Sequence, residues 1–193
     1  MTNQMSAYYL DFTKDILYIE RKDDVRRRQV QSVIYNCVDS LCKLWAPILV
    51  FTMDEIWDVF NTSEKTSVHY THFPKVNNYE DAESIKDTFA KVNEIRDIAF
   101  KSLEIARADK VIGKPLEATL TINTTKENID LLNDTFNGKV AQWLIVSKVE
   151  FKEETQTSVD VSVAKGVVCP RCWNISEEHA EDGLCVRCQK VIG

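Results

Sequence analysis

Four cysteines stand near the end of the chain as Cys169-x₂-Cys172 and Cys185-x₂-Cys188, with a 12-residue spacer between the pairs. Two such knuckles supply four thiolates, the number and type that a closed tetrahedral zinc site takes. The alternative, a pair of disulfides, is opposed by the reducing compartment in which a chain of this kind is expected to reside. A set of four thiolates leaves no position for a reacting water, so the expected zinc, one per chain, is structural, and it staples a tail too small to fold alone. Zinc with four thiolates carries a local charge of about −2, which calls for nearby donors or cations. Arg171 and Arg187 each occupy the position just before the second cysteine of a knuckle. Compensation of the sulfur charge explains both, and a ligand-facing role remains open beside it. His179 is not needed as a ligand. Cys37 and Cys42 are five apart on an expected helix, which points them to different sides and leaves them ordinary packing residues.

Trp173 follows Cys172 directly and has two readings: apolar cover for the metal, or an exposed ring on a rigid platform, which is what stacking on an unpaired base requires. A second candidate for nucleic-acid contact lies in Arg21-Lys22-Asp23-Asp24-Val25-Arg26-Arg27-Arg28. Asp23 or Asp24 is a natural N-cap, which places Arg26, Arg27 and Arg28 in the first turn, where the helix dipole disfavours cations. They are either a solvated face or phosphate ligands. Lys110 and Lys114 around Gly113 read as a helix stop, because cations at a C-terminus followed by Gly and Pro end a helix well. His69 and His72 have no acidic or nucleophilic partner nearby in sequence. No paired-carboxylate motif, Ser/His/Asp order or glycine-rich phosphate loop is present, so the chain offers no catalytic residues.

The elements that position these residues follow from periodicity. From Ser6 to about Phe60 the pattern is helical, and Val30, Val33, Ile34, Cys37, Val38, Leu41, Leu44 and Trp45 keep the spacing of one buried face. Pro47 interrupts it, and Thr52 with Glu55 resembles a capping box opening a helix over 53–60. The polar stretch 61–83 is a connection with an extended segment at 67–73. A long amphipathic helix over about 81–111 follows, on Ile85, Phe89, Val92, Ile95, Ala99, Leu103 and Ala106. Residues 116–123 alternate like a strand, 126–136 like a short helix, and 142–151 and 158–164 like two more strands. The expected architecture is mainly α with α+β. It comprises a partial helical bundle (1–62), a linker (63–80), a long helix with a small α+β junction (81–166) and a zinc ribbon (167–193).

Composition limits the rest. The chain has 193 residues, 24 Lys and Arg against 30 Asp and Glu, and a formal net charge of −6. Duplex-DNA affinity rests on neutralising phosphates, so a general DNA binder is not expected and any nucleic-acid role must be local. At 44% hydrophobic and 28% charged residues, with five Gly and four Pro, the chain can build a packed core. The longest nearly uncharged run, Leu44 to Met53, is far short of the ~20 apolar residues a membrane span needs, and no basic-then-apolar leader opens the chain. A cytoplasmic location without membrane contact is expected.

Four segments carry a family resemblance: Met5 to Glu20, Leu44 to Trp57, Lys110 to Ala118, and the two knuckles Cys-Pro-Arg-Cys-Trp and Leu-Cys-Val-Arg-Cys. Together they resemble the C-terminal part of bacterial-type isoleucyl-tRNA synthetases. Pro-Ile-Leu followed by Asp-Glu-Ile-Trp resembles the anticodon-binding bundle of related synthetases, and the Lys-Pro-Leu-Glu-Ala segment with the terminal cysteines points to the isoleucyl type. The resemblance implies a tRNA-binding fragment that holds the anticodon stem-loop of isoleucine tRNA for a catalytic domain outside these residues. The family's His-Ile-Gly-His and Lys-Met-Ser-Lys-Ser signatures are absent from this sequence, so no aminoacylation by these residues alone is expected. Two rival readings are a zinc-finger DNA-repair glycosylase-like fragment and a protein-interaction module. The first needs a catalytic amine or carboxylate near its start, which Met1-Thr2-Asn3-Gln4 does not supply.

Overall fold

The computed structural model describes residues 2–61 and 66–193. The expected boundary at 62 and the first residues of the linker lie outside them. In chain order the elements are a π-helical turn (Thr2–Tyr9), α1 (Leu10–Ile19), α2 (Val25–Trp45), α3 (Val50–Phe60), a 3₁₀ turn (Val68–Tyr70), α4 (Ala82–Ala108) and a second 3₁₀ turn (Pro115–Glu117). There follow β1 (Ala118–Thr124), α5 (Lys126–Phe136), α6 (Val140–Leu144), β2 (Lys148–Glu153), β3 (Ser158–Val163), β4 (Val167–Val168), β5 (Ile175–Ser176) and α7 (Val186–Ile192). Contacts divide the chain into two compact units, one of Met1–Arg21 with Asp81–Gly193 and one of Lys22–Glu80. Residues 2–21, grouped with the bundle on sequence grounds, fall in the unit of the long helix, the sheet and the cysteine module.

In the first unit β1 is the central strand, parallel to β2 and antiparallel to β3. Leu120 and Ile122 are fully buried and share one core with Val92, Ile95, Ala99 and Leu103 of α4, Leu132 of α5, and Trp143 and Leu144 of α6. That run on α4 is the apolar face expected from its spacing, although Ile85 at its start is exposed. The N-terminal segment is locked to this core by aromatic contacts. The Trp143 indole N–H donates to the Tyr8 hydroxyl at 2.9 Å, and the Arg96 guanidinium lies over the rings of Tyr8 and Phe100.

The structure differs from expectation in three elements. The strand expected over 142–151 begins only at Lys148, because Val140, Trp143 and Leu144, at helical spacing, are all buried on one face of α6. Ile145, in the left-handed region at φ 58°, ends that helix. The extended segment at 67–73 is instead a 3₁₀ turn that the Ser67 side chain caps. Finally, α3 opens at Val50 with no side-chain cap: the chain keeps winding past Pro47 through Leu49 N–H to Trp45 O and Met53 N–H to Leu49 O, so Thr52 already lies inside the first turn.

In the second unit α2 packs on α3 and the first 3₁₀ turn around Cys42, Ala46, Trp57 and Val68. The stripe expected to be buried along α2 is only partly so. Val30 is buried, whereas Val33, Leu44 and Trp45 are exposed, because α3 and the turn are short and cover only the Val38–Cys42 side.

Candidate functional site

The cysteine module is built by two turns facing each other. In the first knuckle the Cys169 N–H donates to Asn174 O and the Trp173 N–H to Cys169 O, both at 2.9 Å, which closes the chain on itself around the sulfurs. In the second, Cys185 takes the N-cap position of α7 without a side-chain bond, so Cys188 sits in that helix's first turn. A short ladder supports the knuckles: β4 pairs antiparallel with β5, Val167 opposite Ser176. Gly166 at φ 120° is required there, since a Cβ would come within 2.1 Å of Ser176 O. The four Sγ atoms lie within 4.8 Å of one another, all four residues are buried, and Cys172 and Cys185 Sγ are 3.6 Å apart. Tetrahedral zinc–thiolate bonds of about 2.3 Å require sulfurs about 3.8 Å apart, so the donor set fits such an ion. The cluster can bind a metal.

The four thiols are not alike. Burial raises the Cys172 and Cys188 thiols. Burial also pushes Cys169 up, but backbone N–H groups of Cys172, Cys185 and Arg171 outweigh it and bring this thiol down to about 6. Donors already aim at the sulfurs: Cys185 N–H at 3.4 Å from Cys169 Sγ, and Arg171 Nη1 at 3.7 Å from Cys188 Sγ. Arg171 thus faces the sulfurs, and its Nη2 also donates to Ile19 O at 2.7 Å.

Arg187 points elsewhere. Its guanidinium takes Asp15 with both terminal nitrogens, Nη1 to Oδ1 at 3.2 Å and Nη2 to Oδ2 at 2.6 Å, and Nη2 reaches Glu20 Oε1 at 3.1 Å. These acids outweigh burial and hold the guanidinium more firmly charged than usual. Gln142 Nε2 donates to the same Asp15 carboxylate. Ile19 is packed with the four cysteines and Leu184, so the C-terminal end of α1 forms a wall of the module. Sequence reasoning missed Asp15, Ile19 and Glu20. A signal was there: α1 has no basic residue in its last turn, and acids at a helix C-terminus lack a dipole partner of their own.

Trp173 is 68% exposed, and Ile19 and Leu184 supply the apolar cover around the sulfurs. Its backbone is left-handed at φ 64°, a conformation that a bulky residue adopts only at a cost. His179 is engaged away from the sulfurs, with its Nε2 2.9 Å from Val167 O. His69 Nε2 lies 3.2 Å from Val50 O.

In the other unit Asp24 caps α2, accepting from Arg27 N–H at 3.0 Å, and Arg26, Arg27 and Arg28 occupy the first turn as expected. Arg28 is exposed and reaches Gln31 Oε1 at 3.1 Å, while Arg26 and Arg27 are half-buried. At the end of α4, Lys110 is left-handed at φ 58° and the Glu117 carboxylate accepts from the Gly113 and Lys114 N–H groups, a stop signal in structural form. Among the described residues, no helix is long and apolar enough to cross a membrane.

The comparisons with known proteins agree with this architecture. Residues 1–122 match the family described as the anticodon-binding domain of tRNA ligase. Over its full length the chain is 40% identical to a region of the isoleucine-tRNA ligase of Lactobacillus acidophilus, covering 22% of that protein. It is 37% identical, again over all its residues, to that of Acholeplasma laidlawii, covering 21%. A third similarity, 40% identity over 98% of the chain, is to the isoleucine-tRNA ligase of Staphylococcus epidermidis, with 22% covered. The chain thus spans about a fifth of the length of these relatives. A family match over more than half the residues, together with the buried four-cysteine cluster, places this chain in the anticodon-binding domain family of tRNA ligases, in its isoleucyl type.

Proposed function

We propose that these residues bind the anticodon stem-loop of isoleucine tRNA in the cytoplasm and hold it for aminoacylation by the catalytic part of a larger ligase. Zinc at Cys169, Cys172, Cys185 and Cys188 keeps the module rigid, and the exposed Trp173, with Arg171 as a second contact, presents the surface that meets unpaired bases. Arg26, Arg27 and Arg28 supply phosphate contacts, with the exposed Arg28 foremost.

One observation carries the reading: Trp173 is exposed and held left-handed by a knuckle whose geometry would suit glycine better. A large aromatic kept there at a conformational cost needs a use outside the fold, and a base offers the complementary face. The test is binding of the zinc-loaded chain to a panel of tRNA transcripts at moderate salt, with elemental analysis of the same preparation. The expected result is one zinc per chain and preference for isoleucine tRNA. Equal affinity for every tRNA, or metal-free reduced protein that binds as well, would overturn it.

A further inference from the structure

The last turn of α1 holds no basic residue, and two arginines of the cysteine module, more than 150 residues later in the chain, reach this end of the helix. Arg171 donates to Ile19 O, one of the carbonyls that a helix leaves unpaired at its C-terminus. Arg187 takes Asp15 in the fork-to-fork manner that fixes direction as well as distance, and adds Glu20. Its side chain is 31% exposed and those of its two acids 27% and 14%, so this is a half-buried network and not a screened surface pair. Gln142 of α6 fixes the same carboxylate from the side of the core. Through Asp15, then, the second knuckle is registered to both α1 and α6.

We propose that Arg187 is a positioning residue: with Asp15, Glu20 and Gln142 it fixes the orientation of the metal-held knuckles on α1, and thereby aims Trp173. This rests on the reading of the module as the RNA-facing platform, and it gives Arg187 a role that is not contact with RNA. A guanidinium already spanning two carboxylates is a poor phosphate ligand, because a phosphate must displace both. The β4–β5 ladder cannot do the aiming alone, since it has only two residues on each strand.

The experiment uses the whole zinc-loaded chain and reads two quantities. Amide hydrogen exchange at residues 16–20 and 185–189 reports docking, and affinity for isoleucine tRNA across a salt series reports function. Arg187→Met keeps the apolar stem and removes the charge. It should speed exchange at both segments and weaken tRNA binding roughly tenfold, mid-range for coupled neighbours, with zinc content and salt slope unchanged. The reversed pair, Asp15→Arg with Arg187→Asp, puts the guanidinium on α1, where it can meet both the relocated carboxylate and Glu20, and should restore slow exchange and most of the affinity. Should Arg187→Met fold poorly, Arg187→Lys reads the same contrast more weakly. A flattened salt slope in Arg187→Met, or restored docking without restored affinity in the reversed pair, would make Arg187 an RNA contact and overturn the proposal. Unchanged exchange in Arg187→Met would overturn it too. If the unaltered chain binds no tRNA, the functional reading fails while the exchange data still decide the docking.

Discussion

At Trp173 two demands on one residue separate cleanly. The knuckle wants a left-handed residue at this position, where glycine is at ease and tryptophan is not. Trp173→Gly therefore removes strain and an exposed ring together. If the ring serves only the fold, its loss lowers stability and loosens the metal. If it stacks on a base, thermal unfolding and zinc content stay level or improve, while affinity for isoleucine tRNA falls by ~1–3 kcal/mol. Measuring zinc retention, melting temperature and tRNA affinity on one preparation decides it, and loss of zinc in proportion to loss of binding defeats stacking. Residue type and spacing made the four-cysteine cluster legible, because two knuckles have few other uses. Which arginine faces the sulfur and which faces away was not legible: Arg171 and Arg187 hold equivalent places in sequence, yet Arg171 reaches a cysteine while Arg187 turns to the acids of α1.

Elements were legible where a single periodicity ran long enough to dominate. On α4, five buried residues at helical spacing name the helix and its face, and α5 matches its expected limits at Lys126 and Phe136. Short elements failed because neighbours decide them. The stretch around Val68–Tyr70 reads as extended in sequence, and what makes it a 3₁₀ turn is Asp54 of α3, which accepts from the Ser67 hydroxyl at 2.6 Å and from Val68 N–H at 3.1 Å. The Ser67 hydroxyl, then the Val68 N–H, hold the Asp54 carboxyl below its usual value despite some desolvation. A depressed folded pKa contributes stability above the unfolded value of about 3.9, and that contribution disappears as pH falls through the folded pKa. Asp54→Asn should therefore be less stable than the unaltered chain near neutrality, and the difference should close below about pH 4. Denaturant midpoints measured at several pH values on both proteins check this. A constant difference at every pH would assign the loss to packing and not to the carboxylate.

For the molecule as a whole, the charge balance is the constraint that an RNA-binding reading must meet. A net charge of −6 opposes binding to a polyanion at long range, so any affinity comes from a few local contacts. The candidates fall in separate compact units, Trp173 in the first and Arg28 in the second. The family match over residues 1–122 includes all of the second unit but stops short of the cysteine module. The two residues also act by different physics. Stacking is nearly indifferent to salt, whereas each phosphate contact to a stem or loop contributes about 0.7 to 0.9 to the slope of log affinity against log salt. Arg28→Gln should therefore flatten the slope by about one contact's worth for every tRNA alike, and Arg26 and Arg27, half-buried, should each contribute less. Trp173→Gly should lower affinity at every salt concentration and leave the slope in place. In the double variant the two losses should add, because Arg28 hydrogen-bonds within its own helix, to Gln31, and shares no partner with Trp173 among the described residues. An unchanged slope in Arg28→Gln would return this turn to a solvated face, and RNA binding would then rest on the cysteine module alone. Losses that fail to add would mean that one RNA contact depends on the other.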